Sequence, residues 1–184
     1  MNKNIEIRPL SEDDHTAVCD LYCKSVKCNP HGFIQDIGFH GCLISRTREW
    51  REKGGDLLVG HVDNAPVSLG ALAPHSGGAV ELCKLHVDPL WQGHGFGRQM
   101  AERLISTARM RGFSAVILHV TVTQKAAVNL YHSLGFEPVK QALFQTQVFG
   151  KPVSFDTLHM RLSLGAARAP FSGETRDREQ ISAS

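Results

Sequence analysis

The order of apolar and polar residues alternates between the two-residue repeat of strands and the 3.6-residue repeat of helices. Apolar or alternating segments predict strands at 5–10, 79–87, 114–122, 138–148 and 153–162, and a hairpin of two strands at 56–74 joined at 63–66. Longer amphipathic segments predict helices at about 11–27, 42–53, 98–112 and 125–134. The order β-α-α-β-β-β-α-β-α-β-β is neither a regular βαβ alternation nor a β-sandwich. It predicts an α+β domain of three layers, with a mixed sheet and helices on both faces.

Two segments carry more detailed predictions. The stretch "SAVILHVTV" (114–122) is almost continuously apolar, which predicts a central strand that is buried on both faces. The helix at 125–134 ends at Gly135, a residue suited to the left-handed position of a Schellman motif. In that motif Phe136 would pack back on Tyr131.

Length and composition indicate one globular domain, which we place at 1–164, followed by a polar tail at 165–184 that we expect to be disordered. A net charge of +2 is too small to indicate a nucleic-acid or membrane partner. No apolar run is long enough to span a bilayer, and the N-terminus lacks the apolar core of a signal peptide. We therefore expect a cytoplasmic location.

The five cysteines contain no CxxC pair and are expected to be reduced. Cys19, Cys23 and Cys28 lie near His31, which makes zinc an alternative, but the spacings match no metal module. We expect no metal, and cysteines that pack as small hydrophobic residues. Cys83, inside a predicted strand, is interpreted as a core residue rather than a nucleophile.

The segment "VDPLWQGHGFG" (87–97) places glycines at every second position between a strand and a helix. A helix N-terminus offers free N–H groups and a partial positive charge, and glycines let a phosphate approach without meeting a Cβ. The pattern predicts a phosphorylated ligand, with a simple turn as the alternative. The P-loop motif is absent. The dinucleotide pattern fails because its third glycine would fall at Arg98 and 114–122 holds no carboxylate.

The same segment resembles the acyl-CoA-binding signature of the GNAT superfamily of N-acyltransferases, with Gln92, Gly95 and Gly97 at its defining positions. The segment "QKAAVNLYHSLGF" (124–136) resembles a second block of that family, although Gln124 stands where Asn is usual. The resemblance covers about residues 5–162. It implies the GNAT fold, a mixed and mostly antiparallel sheet of about six to seven strands.

The resemblance also implies acetyl-CoA as co-substrate, and acetyl transfer to a primary amine by direct attack on the thioester. The pyrophosphate would lie on the amides of 92–97, and the pantetheine would lie between the strand ending at Val87 and the strand at 114–122. The implied cofactor-binding residues are Leu85, His86, Val87, Gln92, Gly93, His94, Gly95, Phe96, Gly97, Arg98, Gln124 and Tyr131.

Two proton transfers need partners. Tyr131 matches the general acid of the family, although an ordinary aromatic of the buried stripe is the alternative. Glu81, six residues before Val87, is the expected base, with His86 or water as rivals and a surface carboxylate as the structural alternative. A lysine-like amine is neutral in only about one molecule in two thousand at pH 7, so a base matters.

The acceptor side of such a fold is formed by residues 28–41 and about 145–155. We expect the acceptor to be the amine of a small molecule, with a peptide α-amine or lysine as the alternative. A non-catalytic acyl-CoA-binding module is the remaining hypothesis. Asp36 could meet an ammonium group or cap a turn. A homodimer is common in the family.

Overall fold

The computed structural model of the chain describes residues 4–29 and 34–165. The strands are β1 (Glu6–Pro9), β2 (Asp56–Val62), β3 (Ala65–Pro74), β4 (Ala79–Val87), β5 (Ala115–Thr121), β6 (Glu137–Val148) and β7 (Lys151–Ser163). The helices are α1 (His15–Lys27), α2 (Leu43–Glu52), α3 (Phe96–Met110) and α4 (Lys125–Ser133). This is the element order that the sequence predicts. Residues 166–184, almost all of the expected tail, lie outside the described residues, and the domain limits stay a prediction.

The seven strands form one mixed sheet in the order β1-β2-β3-β4-β5-β7-β6. All neighbouring strands are antiparallel except β4 and β5, which are parallel. The predicted fold class, a mostly antiparallel mixed sheet with helices on both faces, is thereby confirmed.

Each face of the sheet carries its own pair of helices. Helices α1 and α2 pack through Leu21, Tyr22 and Leu43 against the half of the sheet that contains β2 and β3. Helices α3 and α4 pack on the other face, where Leu104 and Tyr131 join the larger apolar cluster. We call these two sides the α1/α2 face and the α3/α4 face.

Strands β4 and β5 separate in the middle of the sheet. Their parallel ladder covers three residue pairs, from Ala79 with Ala115 to Glu81 with Ile117. On its other side, β4 continues to pair with β3 as far as Val87, with a register shift opposite Leu69 to Ala71. The sheet therefore opens beyond Glu81, between a paired β4 and a diverging β5.

A bulge in β4 accompanies this opening. Lys84 has φ +55°, which lies in the left-handed region that non-glycine residues rarely adopt. Leu82 and Leu85 pack on the α3/α4 face, whereas Cys83 packs on the α1/α2 face. The bulge thus changes the alternation of side chains at the point where the ladder with β5 has ended.

Strand β5 is central, as predicted, but the prediction that both its faces are buried is wrong. His119 is exposed, while its neighbours Leu118 and Val120 are buried on the α3/α4 face. The reason is that α1 and α2 cover the β2–β4 half of their face and leave β5 uncovered. Part of the α1/α2 face at the opening is therefore accessible.

The predicted Schellman motif at the end of α4 is confirmed. The amide of Phe136 donates to the carbonyl of Tyr131 at 3.0 Å, and the amide of Gly135 donates to the carbonyl of His132 at 3.0 Å. Gly135 has φ +87°, the conformation that favours glycine there. The rings of Phe136 and Tyr131 meet edge to face with centroids 5.7 Å apart, which holds Tyr131 in a defined position.

A buried carboxylate ties β1, the turn before α1 and β2 together. Asp14 is 6% exposed and accepts hydrogen bonds from Arg8 Nη1 at 2.6 Å and Nη2 at 3.0 Å. The amide and hydroxyl of Ser11 also donate to it, at 3.0 and 2.7 Å, and His61 Nε2 lies 3.0 Å away. Burial by itself would raise the pKa of Asp14, but the bonds from Arg8 and Ser11 outweigh it and lower the pKa well below its usual value.

We predict that Asp14→Asn lowers the free energy of unfolding by about 2–3 kcal/mol at pH 7, since it removes charge-assisted hydrogen bonds from a buried group. A carboxylate with a lowered folded-state pKa contributes stability above its unfolded pKa of about 3.9 and loses that contribution as pH falls below it. Urea unfolding at pH 7 and at pH 3 would measure both effects. The difference between wild type and variant should shrink at the lower pH.

Asp13→Asn is the matched control, because Asp13 is exposed in the same turn. It should change stability by no more than about 0.5 kcal/mol. Equal losses in the two variants would show that the buried network contributes nothing particular.

Candidate functional site

The segment between β4 and α3 begins at an anchored turn. Asp88 Oδ1 accepts from the amide of Leu90 at 2.8 Å and so opens the short 3-10 turn Pro89–Trp91. Lys24 Nζ of α1 donates to both oxygens of Asp88, at 2.9 and 2.8 Å. The start of the glycine segment is therefore held against α1.

Two of the three glycines take conformations that favour glycine. Gly93 has φ +79° and Gly95 has φ +81°. Apart from the immediate chain neighbours, no atom of the described residues lies within 4 Å of the Cβ that a larger residue would carry at either position. Gly97 instead lies close to β4, since its Cβ would stand 3.6 Å from Val87 Cγ2. The backbone at Gly93 and Gly95 therefore borders open space.

Helix α3 begins directly after this turn, with Gly95 at its N-cap. Its first i→i−4 hydrogen bond runs from the amide of Gln99 to the carbonyl of Gly95 at 3.1 Å. The amides of residues 96–98 precede this bond, so they have no partner within the helix. Together with the positive end of the helix dipole, they suit a phosphate group. We call residues 92–98 the anion cradle.

The side chains of the anion cradle are mostly engaged with the protein itself. Phe96 is 2% exposed and packs in a cluster with Val62 and Val67. Gln92 Nε2 donates to the carbonyl of Val87 at 3.4 Å, and His94 Nδ1 lies 3.0 Å from the carbonyl oxygen of Gln92. What this segment offers a ligand is therefore chiefly backbone.

Arg98 and Gln124 stand at opposite ends of α4. Arg98 Nη2 donates to Ser133 Oγ at 2.6 Å and Nη1 lies 3.5 Å from Glu102, so it links α3 to the C-terminal end of α4. Gln124 occupies the N-cap of α4, and its amide donates to the carbonyl of Thr121 at 2.9 Å. Its side chain forms no capping bond.

Tyr131 lies on α4 and packs in the apolar cluster of the α3/α4 face. It is 7% exposed and belongs to the apolar cluster that contains Leu82 and Leu118. Those two residues directly follow the last pair of the β4–β5 ladder, Glu81 with Ile117. Burial raises the pKa of Tyr131 above its ordinary value, so the phenol stays protonated throughout the neutral range.

Glu81, in the last residue pair of the β4–β5 ladder, contacts a histidine that the sequence analysis missed. Its Oε1 lies 3.2 Å from Nδ1 of His119, and both side chains are partly exposed, by 30% and 38%. The rings of His119 and His159 lie 4.2 Å apart between centroids. Partial burial and the neighbouring His119 lower the pKa of His159.

A sequence signal for His119 did exist. It is the one polar residue within "AVILHV", two positions after Ile117, and so it lies on the same face of β5. This signal can be interpreted only when the pairing of Glu81 with Ile117 is known, and no local sequence pattern predicts that pairing.

His86 faces α1. Ser25 Oγ lies 2.9 Å from its Nδ1, and the ring of Tyr22 lies edge to face at 4.9 Å. Burial lowers the pKa of His86 to about 3, with smaller contributions from the charges of Lys84 and His40. Its imidazole is therefore neutral at pH 7 and a poor proton acceptor.

The remaining candidates have structural surroundings. Burial raises the pKa of the Cys83 thiol to about 12, so it is not a thiolate at neutral pH. Asp36 Oδ1 accepts from the amide of Gly38 at 3.0 Å, the capping arrangement.

The described residues contain no group of three or more His, Cys, Asp or Glu that could hold a metal, and His31 lies outside them. No helix in the described ranges has the length and apolarity to cross a membrane.

Comparison with known proteins gives this geometry a family. The model of the acetyltransferase (GNAT) family matches residues 13–136, which include both the anion cradle and Tyr131. The human protein N-acetyltransferase 8B is 30% identical over 120 residues, a match that covers 65% of this chain. That match spans 51% of the relative, so the chain corresponds to about half of its length.

Solved structures agree in fold. The yncA protein of Salmonella typhimurium, solved with its cofactor acetyl-CoA, superposes with a TM-score of 0.73 at 24% identity, over 92% of this chain and 99% of that one. A ribosomal-protein-alanine N-acetyltransferase from Brucella melitensis superposes with a TM-score of 0.70 at 25% identity, over 86% of this chain and 99% of that one. With the family model matched across the site and the fold shared with these structures, the chain belongs to the acetyltransferase (GNAT) family.

Proposed function

We propose that this protein transfers an acetyl group from acetyl-CoA to the primary amine of a small molecule. The observation that carries the proposal is the anion cradle at the start of α3, beside the opening between β4 and β5. Gly93 and Gly95 border open space with positive φ, and the first amides of α3 have no helical partner. These features suit a pyrophosphate that must approach the backbone closely.

The rest of the co-substrate would follow the opening of the sheet. The backbone of Leu85 to Val87 lies beyond the end of the β4–β5 ladder, which supports a role for it in binding the amide groups of a pantetheine chain. Arg98 and Gln124, at the two ends of α4, would contact the remainder of the molecule, as the family resemblance implies. His86 would contribute through its backbone, because its side chain is packed against α1.

The reaction needs no enzyme-bound acyl group. The amine nitrogen attacks the thioester carbonyl, a C–N bond forms, the C–S bond breaks and the thiolate leaves. One proton leaves the amine and one is supplied to the thiolate. The raised pKa of the Cys83 thiol agrees with direct transfer, because a neutral thiol is a weak nucleophile.

We assign the two proton transfers to groups on opposite faces of the opening. Glu81, partly exposed on the α1/α2 face and bonded to His119, receives the proton of the amine directly or through water. Tyr131, on the α3/α4 side, donates a hydrogen bond or proton to the thiolate. His86 is disfavoured as the base because its pKa is about 3.

We predict that Gly95→Ala weakens CoA binding at least tenfold, because the new Cβ would enter the space beside the cradle. Thermal melting with CoA, acetyl-CoA, NAD and ATP is the measurement. At a hundred times Kd the ligand should stabilise wild type by about 2.7 kcal/mol, a shift of several degrees. CoA and acetyl-CoA should produce this shift in wild type, and a much smaller shift in the variant.

Gly77→Ala is the matched control. Gly77 also has a positive φ, +70°, and open space around its Cβ position, but it lies in the turn between β3 and β4. Both variants should lose about 1–2 kcal/mol through backbone strain, and Gly77→Ala should keep the full CoA shift. A normal CoA shift in Gly95→Ala would remove the cradle from the binding site.

We predict that Glu81→Gln lowers kcat/KM for the acceptor by about 10²-fold or more, the usual contribution of a general base. His86→Gln should have a much smaller effect. If Glu81 and His119 act as a unit, the losses in Glu81→Gln and His119→Gln should not add in the double variant. Steady-state kinetics with a common acceptor would test this, with the exposed Glu52→Gln as control. Full activity in Glu81→Gln would contradict the assignment.

We predict that Tyr131→Phe lowers kcat by about 10²-fold, with little change in KM for acetyl-CoA, because Phe keeps the packing against Phe136 but loses the hydroxyl. The loss should be smaller with an acetyl thioester of a more acidic thiol, whose leaving group needs less stabilisation. An equal loss with both thioesters would indicate a structural role for Tyr131.

A peptide N-terminus is the second candidate acceptor, favoured by the likeness to the ribosomal-protein-alanine N-acetyltransferase. Turnover on peptides but not on free amines would support it. CoA binding without transfer to any amine would favour a non-catalytic module.

The homodimer and the cytoplasmic location stay predictions. Strand β6 is the edge of the sheet next to β7, and it exposes Val139 and Leu143 by 66% and 60%. These are features that an interface between two copies could use.

A further inference from the structure

Helix α1 is joined to the end of β4 by three polar contacts at alternate residues. Each contact pairs a side chain of α1 with a residue that lies beyond the β4–β5 ladder, which ends at Glu81. The contacts are Lys84 Nζ to the hydroxyl of Tyr22 at 2.8 Å, His86 Nδ1 to Ser25 Oγ at 2.9 Å, and both oxygens of Asp88 to Lys24 Nζ at 2.9 and 2.8 Å. Helix α1 therefore bonds to the segment of the chain that no longer pairs with β5.

The bulge at Lys84 makes this alignment possible. Cys83, which precedes it, packs on the α1/α2 face, and residues two apart share a face of a strand. Without a bulge, the even-numbered residues that follow Cys83 would point to the other face. The positive φ of Lys84 accompanies a change in this alternation, so that Lys84, His86 and Asp88 all reach α1.

Asp88 is the junction between α1, the sheet and the turn that leads to the anion cradle. Its backbone amide donates to the carbonyl of Val67 in β3 at 2.8 Å, and its backbone carbonyl accepts from the amide of Trp91 at 2.8 Å. Its Oδ1 also accepts from the amide of Leu90 at 2.8 Å. Lys24 adds the bonds that come from a helix outside this turn.

The contact between Lys24 and Asp88 is charged and only partly exposed. The side chain of Asp88 is 16% exposed and that of Lys24 is 44% exposed. Burial by itself would raise the pKa of Asp88, but the bonds from Lys24 and the Leu90 amide outweigh it and lower the pKa. Asp88 is therefore an ionised acceptor, and its bonds to Lys24 are of the stronger, charge-assisted kind.

The anion cradle needs to be fixed from its two ends, because Gly93 and Gly95 give its backbone conformational freedom. Phe96, 2% exposed in its apolar cluster, fixes the end at α3. Asp88 fixes the start of the preceding turn. A ligand binds the conformation that presents the amides, and its apparent affinity falls with the fraction of molecules in that conformation.

We propose that Lys24 is a positioning residue for acetyl-CoA. It holds Asp88, and Asp88 holds the turn that presents the amides of the anion cradle to the pyrophosphate. The inference rests on the proposed binding of acetyl-CoA at the cradle, and it assigns part of that affinity to a residue of α1 that acts through Asp88.

The test is Lys24→Met, which removes the ammonium group and keeps an unbranched side chain. We expect Kd for CoA, measured by calorimetry, and KM for acetyl-CoA each to rise about fivefold or more, with kcat within about twofold of wild type. Lys24→Arg should restore most of the affinity, since a guanidinium can also donate to both carboxylate oxygens. Lys27→Met, an exposed lysine of the same helix, is the matched control and should leave Kd unchanged.

A double-variant cycle connects the effect to Asp88. Asp88→Asn keeps an oxygen for the amide of Leu90 but removes the charge that Lys24 contacts, so it should also weaken CoA binding. The double variant should bind CoA no more weakly than the weaker single variant, because both substitutions break one contact. The melting temperature without ligand should stay near that of wild type in Lys24→Met, since a partly exposed ion pair contributes little to global stability.

An unchanged Kd for CoA in Lys24→Met would overturn the inference and leave the acetyltransferase function intact. Additive losses in the double variant would also overturn it, as would equal losses in Lys24→Met and Lys27→Met, or no recovery in Lys24→Arg. Failure of the wild-type protein to bind CoA would instead count against the proposed function, and against this inference with it.

Discussion

The early end of the β4–β5 ladder is the constraint on which the rest of the site depends. Two parallel strands that stayed paired would close the sheet and leave no path through it. Here the ladder ends after Glu81 and Ile117, and beyond that point the strand partner of β4 is β3. The opening therefore costs the hydrogen bonds of one strand edge, and a ligand with its own amide groups could replace them.

The two faces of this opening differ in what covers them. On one side, α3 and α4 close over an apolar cluster that contains Leu82 and Leu118, so Tyr131 is buried and its pKa raised. On the other side, α1 and α2 leave β5 uncovered, and polar groups such as Glu81 and His119 are partly exposed. In the proposed reaction, this asymmetry would separate a dry side for the leaving thiolate from a wetter side for the incoming amine.

Burial also determines which titratable groups near the opening stay uncharged at neutral pH. His86 and Cys83 lie on β4 close to the opening, and from their residue types either could take part in catalysis. Burial lowers the pKa of the imidazole to about 3 and raises that of the thiol to about 12, so both stay neutral. Glu81 remains partly exposed at this place and contacts His119.

The sequence by itself determined the features that depend on neighbouring residues: the element order, the turn at Gly93 and Gly95, and the Schellman motif at Gly135. Each follows from local backbone preference and periodicity. Only the tertiary structure decided that His119 contacts Glu81 and that β5 is open on one face. Those features depend on strand register and on how far helices cover a sheet. Both are set by contacts between residues far apart in the chain, such as Glu81 and His119, which are 38 positions apart.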